Sequence, residues 1–254
     1  MLQRRLFLGL GLAGLLPAAP RAANALQVMT SGAFTAPLEI LAPRFTAETG
    51  HQIALVRGAS MGAAPDALPN RLARGEAADV VILARGSLDG LVRAGLVRAG
   101  SERDLVHSAI AMAVRAGTPH PRIGTLEEFR QALLNAASIG YSSSASGVYL
   151  STELFARLGI AEQMQGKARQ FPRWVGREVA NGVVEVGFQQ VSELLPIPGI
   201  EIVGPLPAPI QRVTTFSAGI GTRAEQPEAG LALIRFLASP AAQEVIRAAG
   251  LDPA

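Results

Sequence analysis

The sequence predicts an α/β fold in two units, and three observations carry that expectation. Short apolar runs rich in β-branched residues alternate with segments of helical spacing. That alternation lapses at residues 106–114, one long β-type run interrupted by small residues, which reads as a crossing between units. A Pro-rich stretch at residues 195–209 reads as the return crossing. Strands alternating with helices imply a mostly parallel sheet covered by helical layers.

The elements follow in order. Residues 26–30 read as a strand. Thr35 then reads as a helix N-cap with Pro37 in the first turn, and Leu38, Leu41 and Phe45 continue at helical spacing up to Gly50, a C-terminal glycine. A strand at 52–57, a helix at 67–74, a buried strand at 79–83 and a helix at 87–97 complete the first run. The second unit carries a helix at 126–134, a strand at 138–141, a helix at 147–158 and a strand at 183–188. A strand at 211–220 and helices at 228–237 and 240–249 close the chain. The expected units are 26–107 with 206–254, and 108–205.

The chain begins with Arg4-Arg5, the 11-residue apolar run 6–16, and Ala23-Asn24-Ala25. A positive start, a short apolar run and a small-residue cleavage pattern describe a secretory signal covering residues 1–25. The apolar run is well short of the roughly 20 residues a membrane span needs. Arg-Arg-x-Phe-Leu resembles a twin-arginine signal, although Gln3 and Gly9 replace the Ser and Lys often found there. A periplasmic location is expected, and Sec export stays open.

Removing that segment changes the charge. The chain has 23 basic and 20 acidic residues, and three of the basic ones, Arg4, Arg5 and Arg21, precede residue 26. The remainder balances at 20 against 20, so nothing points to nucleic acid. Cysteine is absent, which excludes thiol nucleophiles and thiolate metal sites. His51, His107 and His120 lie too far apart in sequence for a histidine metal motif, and no metal or cofactor is expected. Lys167 is the one lysine, so lysine chemistry has almost no candidate.

Three small-residue loops follow strands and precede helices: 31–35, 58–62 and 142–147. Such loops present backbone N–H groups and hydroxyls at the positive end of a helix, and make anion sites without lysine. Each alone is explained by ordinary capping; three together favour a shared anion pocket. Arg57 and Arg85 stand near strand ends where α/β sheets place ligands, and a guanidinium fork matches a carboxylate. Gly58-x-Ser60-x-Gly62 also fits the nucleophile elbow of serine hydrolases. An exported hydrolase using Ser60 is the rival reading, weakened because the histidines come too early and no oxyanion motif accompanies them. Trp174 is expected in a partly exposed loop.

Several segments together resemble periplasmic solute-binding proteins of the molybdate-binding type, over nearly all of the mature chain. They are Phe34-Thr-Ala-Pro-Leu38, Gly75-Glu-Ala-Ala-Asp79-Val80, Ser146-Gly147-Val-Tyr149, residues 183–194 against a Gly-x-x-Tyr-x-Ser-Asp motif, and residues 227–243 against the C-terminal signature. The resemblance implies a two-lobed type 2 periplasmic binding protein, each lobe a mixed sheet flanked by helices, joined by two hinge crossings. It implies closure around a small anion, delivery to the permease of an ABC-type transporter, and no catalysis; a monomer is expected. Carried over residue by residue, it matches Ser60 to one ligand serine, places Ala33 at the other with Ser31 and Thr35 nearby, and places Gln190, or Gln189, at a tyrosine position. Ser144 stands in the third loop, and Ser146 and Val175 match positions offering backbone amides. These departures favour an organic carboxylate held by Arg57 or Arg85 over molybdate or tungstate.

Overall fold

The computed structural model describes residues 25–172 and 174–254, so the signal read at 1–25 lies outside the described residues except for Ala25. Along the chain the elements are β1 (Leu26–Ser31), α1 (Gly32–Thr49), β2 (Ile53–Gly58), α2 (Leu68–Ala73), β3 (Val80–Ala84), α3 (Arg85–Arg93) and β4 (Arg103–Ser108). Then come β5 (Ile110–Arg115), α4 (Leu126–Asn135), β6 (Ile139–Ser142), α5 (Ala145–Tyr149), a π turn at Leu150–Leu154, α6 (Phe155–Arg157), α7 (Ala161–Met164), β7 (Ala168–Phe171) and α8 (Val175–Ala180). The chain continues through β8 (Val186–Gln190), α9 (Val191–Leu194), β9 (Ile200–Pro205), a 3-10 turn at Ala208–Ile210, β10 (Thr214–Ile220), α10 (Pro227–Leu237), α11 (Pro240–Ala248) and β11 (Asp252–Pro253).

These form two sheets, ordered β11-β4-β10-β3-β1-β2 and β7-β6-β8-β5-β9. Both are mixed rather than mostly parallel. β1 pairs in parallel with β2 and β3, and β6 with β7 and β8; β10, β4 and β11 run antiparallel, as β5 does to both β8 and β9. Apart from the C-terminal β11, the antiparallel members are the strands that enter and leave the crossings.

The apolar 106–114 run divides where its small residues sit. β4 closes the first sheet at Ser108, Ala109 carries the chain over, and β5 opens the second sheet at Ile110. The return runs from Pro205 to Thr214. The expected Pro-rich connector contains a strand, β9, because its Pro residues flank an Ile200–Val203 stretch that pairs as an edge of the second sheet. Gln211 ties the two crossings together: Ile110 N–H donates to its Oε1 at 3.1 Å, and its Nε2 donates to the Ile110 carbonyl at 2.9 Å.

Each sheet has its own core. Phe34, Leu38, Leu41 and Phe45 line one face of α1 at helical spacing and pack with Val80, Ile82, Phe216 and Leu233. Phe129, Leu133, Leu150, Leu154 and Phe188 fill the second lobe, and Leu206 and Ile210 from the return crossing join them. Thr35, expected from sequence to cap α1, does not cap it. The helix begins at Gly32 with Ser31 at the N-cap, and the Thr35 hydroxyl instead donates to the Ser31 carbonyl at 3.1 Å. Gly50 does end α1, with φ of 77°. The single lysine is structural: Lys167 Nζ donates to the carbonyls of Leu133, Leu134 and Ala136 at 2.8, 2.8 and 3.0 Å, closing the C-terminus of α4. Asp79 is buried and accepts the N–H groups of Gln27 and Gln226 at 2.7 and 2.8 Å, pinning β1 to the start of α10. Among the described residues no single helix is long and apolar enough to cross a membrane.

Candidate functional site

The lobes face each other across a cleft of about 520 Å³. From the first lobe it is lined by Gly32, Thr35 and Glu39 of α1 and by Arg57 and Gly58 at the end of β2. From the second come Ser142 and Ser144 after β6, Trp174 and Arg177 at the start of α8, and Gln189, Ser192 and Glu193 at the β8–α9 junction. Strands β1, β2, β6 and β8 all end here, where an α/β sheet presents its loops. A larger groove, about 870 Å³, opens on the far side of the second lobe between α4 and the ends of β5 and β8. It belongs to one lobe only, and none of the partnerless buried polar atoms described next lies on it.

Buried polar groups normally find a partner. Among the described residues Ser31 Oγ, Gln189 Oε1 and Ser192 Oγ are buried without one, and all three belong to the loops that bound the cleft. Gln190 Oε1 and Ser108 Oγ share that state near the crossings.

The charged groups are unevenly committed. Arg57 Nη2 is hydrogen-bonded to Glu39 Oε1, and both side chains are over two-fifths exposed, so the pair is weakly held and open to competition. Arg177 lies on the Trp174 ring, 4.7 Å from its centroid. Trp174 has φ of 57°, the one non-glycine among the described residues in the left-handed region. Backbone strain of this kind costs about 1–3 kcal/mol and collects at functional sites. Here it turns the indole out at the wall of the cleft, where the sequence placed a partly exposed tryptophan.

Glu193 occupies the floor. It is half-buried, faces Gly32 across the lobe boundary, and accepts from Gln189 Nε2 at 2.9 Å. A β-carbon at position 32 would overlap the Glu193 carboxylate, so any other residue at the head of α1 would push that side chain aside. Burial pushes the Glu193 carboxyl up to about 7, while hydrogen bonds from the Gln189 side chain and the Gln190 backbone pull the other way.

Four residues expected from sequence line the cleft: Thr35, Arg57, Ser144 and Gln189. The others sit elsewhere. Ser60 is fully buried behind the wall; its Oγ accepts the Ala84 N–H at 3.1 Å, and its own N–H donates across the lobes to Ser144 Oγ at 3.2 Å. Among the described residues no histidine or carboxylate is bonded to that hydroxyl, so they do not assemble the nucleophile elbow. Ser146 is buried and bonded to Ser142 Oγ at 3.1 Å. Ala33 and Val175 are core residues, Ser31 is buried at the N-cap of α1, and the Gln190 amide turns toward Thr214 at 3.4 Å. Arg85 does not line the cleft: its guanidinium, at the head of α3, is held by Asp89 and Asp104, each at 2.7 Å. Two carboxylates on its own lobe outcompete a ligand role.

Sequence reasoning missed Glu39, Arg177, Ser192 and Glu193. A signal for the last two was present: in Gly187-Phe-Gln-Gln-Val-Ser192-Glu193 they stand at the Ser and Asp places of the Gly-x-x-Tyr-x-Ser-Asp motif, with Glu one methylene longer. Among the described residues no group of three or more His, Asp or Glu side chains is placed to hold a metal ion.

Known proteins resemble the chain over most of its length. A protein named aconitate isomerase, from a Pseudomonas species, is 44% identical over 229 residues, covering 90% of this chain and 87% of that one. The molybdate-binding protein ModA of Azotobacter vinelandii is 28% identical, over 97% of this chain and 96% of its own. In three dimensions the Azotobacter vinelandii periplasmic molybdate-binding protein superposes with a TM-score of 0.71 at 22% identity, covering 89% of this chain and 98% of its own. The profile of one family, described as bacterial extracellular solute-binding protein, matches residues 26–252, and the chain belongs to that family.

Proposed function

We propose that the protein works in the periplasm, takes a small organic polycarboxylate of the aconitate class into its cleft, and isomerises it. The observation that carries this reading is the pair of guanidinium groups contributed by opposite lobes, Arg57 from β2 and Arg177 from α8, across one cleft of about 520 Å³. Each fork can bind a carboxylate bidentately, and a ligand with several carboxylates engages both at once. A compact tetrahedral oxyanion fits this site poorly. Ser60, matched by resemblance to an oxyanion ligand, spends its hydrogen bonds inside the protein. The relative named aconitate isomerase, at 44% identity, supplies the substrate class.

Closure of the lobes around the ligand excludes water and brings both arginines to bear. A solute-binding protein that only hands its ligand to a membrane permease is the second reading, favoured by the family itself. Calorimetry with cis- and trans-aconitate, molybdate and sulfate, together with proton NMR of the aconitate mixtures, separates these. Interconversion of the two aconitates, with no heat from molybdate, supports isomerisation. Tight aconitate binding without interconversion leaves the transport reading; tight molybdate binding with no response to aconitate sinks both polycarboxylate readings.

A further inference from the structure

Resting on that reading, we infer that Glu193 is the residue that carries the proton during isomerisation, removing it from one carbon of the bound polycarboxylate and returning it to another. The reasons are positional. Glu193 is the carboxylate on the cleft floor, brought there by α9, against the head of α1 and between the two arginines' lobes. One of its oxygens is fixed by Gln189 Nε2, which leaves the carboxylate oriented rather than freely rotating. The glycine at position 32 keeps space for it where any side chain would displace it. The other acid lining the cleft, Glu39, is half exposed and already engaged by Arg57, so it is not free to act on the ligand. A carboxyl brought to about 7 is poised to accept and return a proton near neutral pH.

The step balances without any added reagent. In an aconitate-class ligand a methylene lies between a carboxylate and a carbon–carbon double bond that is conjugated to further carboxylates. The Glu193 carboxylate takes one proton from that methylene, and the C–H electron pair spreads through the unsaturated system into a carboxylate as a dienolate. Protonated Glu193 then delivers the same proton to the former vinylic carbon. One C–H bond breaks, one forms, the double bond moves by one position, and the carboxylate is regenerated. The arm that emerges unsaturated takes the geometry in which the cleft holds it. Negative charge developing on the ligand is met by Arg57, Arg177 and the first N–H groups of the 18-residue α1 helix.

The test compares the full-length mature protein with Glu193→Gln and Glu193→Asp. The Gln change preserves shape, and the partnerless Gln189 Oε1 can accept from the new amide after a flip of its own, so folding is expected to survive. Turnover of Glu193→Gln should fall about 10²–10⁴-fold in kcat, the usual contribution of a positioned acid–base group. Its calorimetric Kd for aconitate should stay within about tenfold of wild type. Glu193→Asp should regain part of the lost kcat, because it restores the carboxylate at a shorter reach. Wild-type-like kcat in Glu193→Gln overturns the assignment while leaving isomerisation standing. Loss of binding in parallel with turnover also overturns it, making Glu193 a binding group. Absence of turnover in the wild type overturns the isomerase reading and the assignment with it.

Discussion

The Glu193 carboxylate ought to weaken the fold that holds it, and the size of that cost follows from its environment. In the unfolded chain its carboxyl titrates near 4.5; in the folded protein burial carries it to about 7. Between these values the native state holds a proton that the unfolded chain has released, so stability falls as pH rises from about 4.5 to about 7 and then levels off. At about 1.4 kcal/mol per pH unit the full interval corresponds to roughly 3 kcal/mol as an upper limit. Glu193 opens onto a cleft that admits water, and screening there brings the expected effect to about 1–2 kcal/mol. Glu193→Gln removes the charge and keeps the shape. It should match wild type at pH 4.5 and exceed it at pH 8 by about 2–8 °C in melting temperature, at the 2–4 °C per kcal/mol typical of a chain this size. Calorimetric melting of both proteins at the two pH values, without ligand, decides the matter. A variant less stable than wild type at pH 8, or a difference that does not change with pH, would refute the argument, because either result means that the folded state does not resist ionisation at this position.

Other expectations follow from the same geometry. Gly32→Ala forces a β-carbon into the Glu193 carboxylate, and should lower aconitate turnover at least tenfold with a modest loss of melting temperature, read by NMR rate and calorimetry. Arg177→Ala removes one carboxylate fork and should raise the aconitate Kd by about 10–100-fold, with stability nearly unchanged because the side chain is exposed. Glu39→Gln frees Arg57 from its intramolecular partner and should tighten aconitate binding by a few-fold, an effect that falls as salt is raised. Arg85→Ala should leave aconitate affinity as it is, since Asp89 and Asp104 hold that guanidinium outside the cleft.

The two-sheet architecture was legible because it rests on local patterns. Leu38, Leu41 and Phe45 mark the buried face of α1 by spacing, and Gly50 marks its end by chemistry. The crossing at Ala109 showed itself as small residues breaking a β-type run. Antiparallel pairing came from the family resemblance, which implied mixed sheets, and not from local patterns, because the direction in which β10 meets β3 is set by where the chain returns rather than by any residue in β10. β9 was hidden by the prolines at either side of it, and β7 by an exposed pattern that an edge strand tolerates. In the site, Arg57 could be read from its place near a strand end, and Gln189 from the family resemblance as the alternative to Gln190. Glu193 was passed over as one acid among 20, since its meaning comes from Gly32, a residue 161 positions away in sequence. Arg85 drew attention for the same positional reason as Arg57, and only the neighbouring Asp89 and Asp104 distinguish them.

The link between Ala109 and α9 has a mechanical consequence. The Val191 N–H donates to the Ala109 carbonyl at 3.0 Å, fastening the start of α9 to the single residue that carries the chain from one sheet to the other. Glu193 therefore sits two residues from the pivot, like a fitting mounted on the hinge side of a door. Points near a pivot travel little as the leaf swings, so a hinge at this crossing would leave the Glu193 carboxylate nearly in place as the lobes open and close.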